Sequence, residues 1–564
     1  METLDDLRWG LLRLLRRLGR GLRGLWFNRS LSFRRRSFAV VLVLAAYALI
    51  RLVPLPGLPC ELSPTKQCPP SDDAIALVPA GAYAYVHVNL DRDSAQFEQA
   101  EELAARLPHF DSIAQGTLQA LDIGPGLDLQ RDLASWVGDE VAFAEVQSGT
   151  ARPRPLFLAA VGDRQRSEVF LGLIAGAGGR PEQSRYGGTT IRVFGGGLAA
   201  AEVGEFLAVG DPSAVRAAID TDRGRGEALS SSDAADAIRD SLPEDRLADA
   251  YVSADGVARL LARRGGLAGQ LDTFTDYGAS RGIAAALVAH DDGLELKTDS
   301  TLDRAKLTAA PGFFTAFPRF APSLAGEVAP DALMYLGIAA PGDTVRLLLD
   351  QANAAAPGLV DAFDRFNRRL RDRGGGDLIR DVLPVLDGEA GFAIAPARPL
   401  PYLTFVFDDV DEKRAREEMA KLQGPILAAL KPARTGQAPT FGERKIGDVV
   451  ARSVGLSPTL ELAYALFDGK LVVSTNPAGV RQAIAGDDDL AGQGSFRTVT
   501  SGTSDGASAL VFLNLEGLIR RAEPLGLNEI VGGFRADVAK LKALGLTVSS
   551  DEESLQTKLF LEIE

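Results

Sequence analysis

Leucine recurs at Leu4, Leu7, Leu11, Leu14, Leu15, Leu18, Leu22 and Leu25, and Arg13, Arg16, Arg17, Arg20 and Arg23 fall between them. Spacing of three to four residues predicts a basic amphipathic helix of the kind that lies in a membrane interface. Gly19, Gly21 and Gly24 weaken that helix by up to about 1 kcal/mol each relative to alanine. A plain positively charged flank is the alternative reading. The pattern then changes to an unbroken apolar run, FAVVLVLAAYALIRLVPL, from Phe38 to Leu55. At about 1.5 Å rise per residue this run spans about 27 Å, close to the thickness of a bilayer core. The expectation is a single transmembrane helix over 37–55, preceded by a cytoplasmic basic segment over 1–36. Arg34, Arg35 and Arg36 place the amino terminus inside by the positive-inside bias, and the rest of the chain outside the cytoplasm. The rival is a cleaved signal peptide, but the preceding segment is long and no small-x-small site directly follows the core.

Residues 56–72 form a proline-rich stalk, extended and semi-rigid. Beyond it the period falls to two, the signature of strands, and one order of segments runs through twice. VPAGAYAYVHVNL (Val78–Leu90) is answered by APDALMYLGIAA (Ala329–Ala340). GDEVAFAEV (Gly138–Val146) is answered by DGEAGFAIA (Asp387–Ala395), and RPLFLAAVGD (Arg154–Asp163) by LPYLTFVFDD (Leu400–Asp409). The helix starts DPSAVRAAI and NPAGVRQAI match, with Asp211 or Asn476 as N-cap and proline at the first helical position. YVSADGVARLL matches FLNLEGLIRRA, and both copies close on a hairpin pair near 282–299 and 544–563. The fold expected is α+β: two tandem duplicated lobes, 73–310 and 325–564. Each is a mainly antiparallel sheet with helices packed on one face. A doubly wound parallel sheet is excluded because helices do not separate every pair of strands. Polar stretches at 221–234, 371–377, 431–444 and 486–506 are expected as surface loops.

Charge sharpens the division. Net charge is −14, yet residues 1–55 carry 11 arginines and 3 acidic residues, so the remainder is strongly acidic. Such an outer region is a poor binder of nucleic acid. Of the two cysteines, Cys60 and Cys68, both in the stalk, the spacing suits a small-loop disulfide in an oxidising exterior. Two free thiols is the alternative.

Little in the sequence points to catalysis. There is no phosphate loop, no H-E-x-x-H, no C-x-x-C and no G-x-S-x-G elbow. No catalytic, cofactor-binding or metal residue is assigned. Asp408, Asp409, Asp411 and Glu412, and the run Asp487–Asp489, lack the spacing of a calcium loop, and helix capping accounts for the first group. The acidic–glycine pairs Asp255-Gly256 and Glu516-Gly517 are read as helix starts. The one polar-aromatic strip that could line a pocket is Tyr83, Tyr85, His87 and Asn89, where His87 matches Gly337 of the second copy.

The opening LVPAGAYAYVHVNLDRDSAQFEQAEELAARLP (Leu77–Pro108) and the GDEVAFAEV strand carry a resemblance to domain of unknown function 3352. That family is found in membrane-anchored envelope proteins of actinobacteria. The resemblance implies location and architecture and brings no activity to any residue. The expectation is therefore a single-pass, extracytoplasmic envelope protein, a non-catalytic binding or scaffolding module. Its partners are the membrane and an envelope protein or lipid, with no nucleic acid and no cofactor. A carrier of lipid or another hydrophobic ligand held at the membrane is the first alternative. A hydrolase whose site is assembled from distant loops is the second.

Overall fold

The alternating segments become strands of one continuous sheet in which every pairing is antiparallel. The computed structural model describes residues 70–564 except 113–131, 148–152, 179, 233–240, 263–279, 303–317, 347–348, 350–356, 430–439, 458–459, 504–505, 524–531 and 551–553. The amino-terminal helix, the apolar run Phe38–Leu55, Cys60 and Cys68 lie outside the described residues. Among those described, no helix is long and apolar enough to cross a membrane.

The first ten strands are β1 Ala84–Asn89, β2 Val137–Val146, β3 Arg154–Val161, β4 Glu182–Tyr186, β5 Thr189–Val193, β6 Ala199–Val203, β7 Phe206–Gly210, β8 Ala248–Ser253, β9 Ser280–His290 and β10 Gly293–Leu302. The second ten are β11 Met334–Ala339, β12 Glu389–Ala395, β13 Tyr402–Phe407, β14 Gly442–Ile446, β15 Val449–Ser457, β16 Leu460–Phe467, β17 Lys470–Ser474, β18 Ala509–Asn514, β19 Leu541–Ser550 and β20 Ser554–Ile563. In space the first set runs β4-β5-β6-β7-β3-β2-β1-β8-β9-β10. The second set repeats that succession from β14 to β20. The two sets meet where β10 pairs with β20, from Gly293↔Glu562 to Thr301↔Ser554.

The principal helices are α1 Ala95–Ala105, α2 Arg164–Gly178, α3 Pro212–Asp222, α4 Ala254–Ala262, α5 Pro357–Asp372, α6 Glu412–Ala429, α7 Pro477–Ala485, α8 Gly494–Val499 and α9 Leu515–Ala522. Their starts follow from local chemistry. Ser94 accepts a hydrogen bond from the Phe97 amide at α1. Asp211 accepts from Ser213 at α3, and Asn476 from Ala478 at α7. Each cap satisfies an amide that the first helical turn leaves without a carbonyl.

Helices cover both faces of the sheet, not one as the pattern suggested. Leu156 and Leu158 of β3 pack with Phe206 and Ala208 of β7 beneath α3, which contributes Val215, Ala218 and Ile219. The alternate residues Phe157 and Ala159, with Leu207 and Val209, pack on the opposite face against Phe170 and Leu171 of α2 and against Trp136. Successive side chains of a strand point to opposite faces, so β3 is apolar at both parities because both sides are buried. In the second set Val406 and Val472 meet Val480 and Ala483 of α7. There Phe407, Leu471 and Val473 meet Ala415 and Met419 of α6 on the other face. Burying a side chain such as Leu156 or Leu158, both fully enclosed, contributes roughly 1.5–3 kcal/mol each.

Three polar stretches expected as loops hold structure. The 431–444 stretch runs into β14, 486–506 contains α8, and 221–234 includes the 3-10 turn Leu229–Ser231. Neither β4 (EQSRY) nor β14 (GERKI) was visible as a strand. They are the outermost strands of the sheet and expose their charged residues. Helix α5 also went unpredicted.

Candidate functional site

Strand β1 lies between β2 and β8, and His87 sits directly opposite Ala142 on one side and Asp249 on the other. Residues directly opposite in an antiparallel pair share a face, so His87 and Asp249 both point inward. Glu140 of β2 lies two residues from Ala142 and shares the same face. Asp72 reaches this point from the chain entering the 3-10 turn Ala74–Leu77.

The result is a buried, mostly acidic cluster around one imidazole. His87 is fully enclosed. Its Nδ1 is 3.4 Å from Asp249 Oδ1 and its Nε2 is 3.3 Å from Glu140 Oε2. The second approach is out of line for a hydrogen bond, and Nε2 has no hydrogen-bond partner; neither has Asp72 Oδ2. Arg246 Nε lies 2.8 Å from Asp249 Oδ1. Tyr85 Oη donates to Asp72 Oδ1, and Glu140 accepts from the Asp73 amide at 3.2 Å. Asp72, His87 and Asp249 each offer a ligand atom within 4.8 Å of the others.

Burial by itself pulls the His87 imidazolium down. The Asp249 and Glu140 carboxylates against the two ring nitrogens, with the charge of Asp72, more than reverse this, lifting it to about 9. Burial raises the Asp72 carboxyl above its ordinary range, although His87 and the Tyr85 hydroxyl oppose it. Asp249 is also penalised by burial, yet His87 and Arg246 hold it below the ordinary range.

The second set of strands keeps part of this arrangement and lacks the rest. Tyr335 Oη donates to Glu389 Oε1 at 3.2 Å, and Glu389 accepts from the Ser323 amide and hydroxyl, both at 2.7 Å. Glu140 and Glu389 thus both fasten the start of a 3-10 turn, Ala74–Leu77 or Leu324–Glu327. At the His87 position stands Gly337, opposite Gly391 and Leu510. Two residues before the turn, where the first set has Asp72, stands Pro322. Asp72, His87 and Asp249 are therefore all replaced by residues with no metal-ligating side chain.

The predicted strip divides. Tyr85 and His87 belong to the cluster. Tyr83 instead lies under the Arg259 guanidinium, 4.3 Å from its ring centroid, and Asn89 bonds the Ser94 hydroxyl and the Asp91 amide. All four are buried, so they form an inner wall and not the lining of an open pocket. Asp72, Glu140, Arg246 and Asp249 were missed. The available signal was a carboxylate at an inward parity in GDEVAFAEV and in LADAYVS. Asp408, Asp411, Glu412 and Asp489 accept from the amides of Glu389, Arg414, Gly469 and Gly492, so backbone satisfaction explains them. At Gly256 and Gly517 the cap is the residue three before, Ser253 or Asn514.

Of the clefts among the described residues, two lie beside the cluster and along the seam. One, of about 470 Å3, is lined by Asp73, Asp139, Glu140, Glu202 and Glu205, with Arg164 at its side. The other, of about 650 Å3, follows the β10–β20 junction and is lined by Thr298, Thr503, Thr547, Ser549, Gln556 and Lys558 among others. Lys558 Nζ bridges the seam to Glu295 Oε2 at 3.1 Å. His109 Nδ1 does the same to Asp537 at 2.7 Å, and Arg106 donates to the Ile563 carbonyl at 2.9 Å.

None of the curated proteins compared matches the sequence. Crystal form I of TP0453 aligns at 12% identity and a TM-score of 0.25, over 41% of this chain and 79% of that one. Crystal form III aligns at 11% and 0.26, over 41% and 81%. A likeness this slight informs neither fold nor function. The sequence itself is decisive: residues 38–563 match the model of the protein family of unknown function DUF3352, and the chain belongs to that family.

Proposed function

We propose that this chain is a membrane-anchored, extracytoplasmic binding module without catalytic activity, built from two copies of one ten-strand unit. Its ligand face is the cleft along the β10–β20 seam. The apolar run behind Arg34–Arg36 supports an anchor with the strands held outside. The repeated succession of pairings in β1–β10 and β11–β20 supports duplication of one unit. The cell envelope is the setting that such an anchor and the family resemblance suggest.

The observation that carries the reading is the composition of the seam cleft. Its walls carry hydroxyls, amides and charged groups beside Leu242 and Pro243, which suit a ligand that exchanges hydrogen bonds and also offers apolar faces. Several of these groups pair with one another, Thr503 with Thr547 at 3.0 Å and Gln556 with Asp299 at 3.1 Å, and a lipid tail would take this polar surface out of water. A polar, hydroxyl-bearing envelope polymer such as a glycan fits this lining.

The test uses the full chain in detergent micelles titrated with soluble envelope glycan fragments. Saturable binding that falls at least tenfold in Thr298→Leu and Ser549→Leu is the expected result. No binding, or equal binding by these variants, removes the reading. Protease accessibility of the carboxy-terminal region on intact cells checks the topology, and full protection there would reverse it.

A further inference from the structure

We propose that Asp72, His87 and Asp249 form a binding site for one first-row divalent cation, with zinc preferred, reached through the acidic cleft beside Glu140. This goes beyond the seam-cleft reading and stands on separate residues.

Three observations converge. The first is donor chemistry: one imidazole nitrogen and two carboxylates whose ligand atoms already lie within 4.8 Å of one another. Metal bonds of about 2.0–2.2 Å place donors about 3–3.5 Å apart, so the side chains close by roughly 1 Å. An imidazole ligand suits zinc and its neighbours over calcium or magnesium. The second is unsatisfied capacity. His87 Nε2 and Asp72 Oδ2 are buried without hydrogen-bond partners, and His87 is fully enclosed. Buried polar atoms are seldom left so.

The third is the comparison within the chain. The second set of strands retains the tyrosine and the glutamate that fasten the turn, yet carries Pro322, Gly337 and Leu510 in place of all three donors. The three donors are thus absent together from the second set while the tyrosine and glutamate beside the turn remain.

Surrounding groups complete the site. His87 Nδ1 faces Asp249 and Nε2 faces Glu140, so a metal held at Nδ1 together with Asp249 leaves Glu140 beside the other nitrogen. Such a carboxylate orients a metal-bound histidine. Tyr85 orients Asp72 and Arg246 orients Asp249. With all groups ionised, three carboxylates face His87 and Arg246, a formal charge of −1 by simple count. Asp73, Asp139, Glu202 and Glu205 line the approach and raise the local cation concentration.

The experiment takes the full chain in detergent, stripped with chelator, and titrates it with Zn2+, Mn2+ and Ca2+ separately by calorimetry, with metal content after dialysis as a second readout. One equivalent of Zn2+, bound more tightly than Mn2+ and with no Ca2+ heat, is expected. Asp72→Asn, at a partly buried position, should weaken zinc at least tenfold without unfolding the chain. The double variant His87→Gly/Asp249→Leu takes the residues of the second set, which that scaffold already accommodates, and should abolish binding. Absence of stoichiometric zinc in the wild type overturns the proposal. So does zinc binding that these variants leave unchanged, which would assign it to the exposed carboxylates of the cleft. Glycan binding at the seam is read independently, so either proposal can fail alone.

Discussion

His87 and Gly337 occupy the same register position in their respective strands, each opposite the second strand's small residue (Ala142 or Gly391) and the eighth strand's Asp249 or Leu510. Matching places in the two sets of strands thus hold a charged pair in the first and apolar residues in the second. Removing His87 alone strands three carboxylates in a buried space, so His87→Gly should cost about 3–5 kcal/mol. Removing Asp249 with it, as His87→Gly/Asp249→Leu, should cost less than the sum of the two single changes by about 0.5–3 kcal/mol. A double-mutant cycle by urea denaturation measures this. Additive costs would mean that the two side chains are not coupled.

The same imidazole sets a pH dependence in chelator-treated protein. Its folded value, about 9, lies above the ordinary 6.5. Its stabilisation is therefore fully present below pH 6.5 and is lost as pH rises through about 9. The groups facing it are Asp72, Glu140 and Asp249, with Arg246 behind Asp249. Urea midpoints at pH 6, 8 and 9.5 should fall in the wild type by up to about 3 kcal/mol in total. They should stay flatter in the double variant. An equally steep fall in both would assign the titration elsewhere.

Glu295 works in the opposite direction. Burial pushes its carboxyl up, but hydrogen bonds from His290, Lys297 and Lys558 outweigh burial and hold it at about 2. A depressed carboxylate stabilises above its ordinary 4.5, and that contribution is lost as pH falls toward 2. Glu295→Gln should therefore flatten the acid limb of the stability curve between about pH 4.5 and 2. It should also loosen the seam, since Lys558 loses its ion pair with Glu295. Hydrogen exchange along β10 and β20 would report that loosening, and unchanged protection there would contradict it.

Gly256 is a test of close approach. A Cβ there would stand 2.0 Å from the Tyr83 carbonyl oxygen and 3.0 Å from a Val252 methyl. The start of α4 presses on the chain entering β1, with no room for a side chain. Gly256→Ala should cost about 1–3 kcal/mol or more through overpacking. Gly424 lies inside α6 with nothing within 4 Å of its missing Cβ, so Gly424→Ala should be neutral or stabilise by up to about 1 kcal/mol. Thermal midpoints of the two variants should move in opposite directions or differ by several degrees. Equal shifts would refute the steric account.

Much of the strand order was legible because β1, β2, β3 and their counterparts announce themselves by alternation and proline turns. The helix starts at Asp211 and Asn476 were equally plain, since capping is local chemistry. What escaped needed neighbours that sequence does not supply. β4 and β14 are polar on both faces, because they lie at the margins of the sheet, and nothing separates such a strand from a loop. The apolar residues at both parities of β3 were in view, but only packing reveals α2 on one side and α3 on the other. The cluster around His87 draws on residues 72, 87, 140, 246 and 249. No spacing rule connects these: antiparallel register brings residues 87, 140 and 249 together, and the segments before the 3-10 turn and before β8 add 72 and 246.

The margins of the sheet have a further consequence. An edge strand is an open template that can recruit a strand from another molecule. Here β4 exposes Glu182, Gln183, Ser184 and Arg185, and β14 exposes Glu443, Arg444 and Lys445. A second chain attempting to extend the sheet at either end would have to seat its own strand beside that mixed charge. The succession of strands is therefore closed to addition at either margin. Chains crowded together on one surface can remain separate.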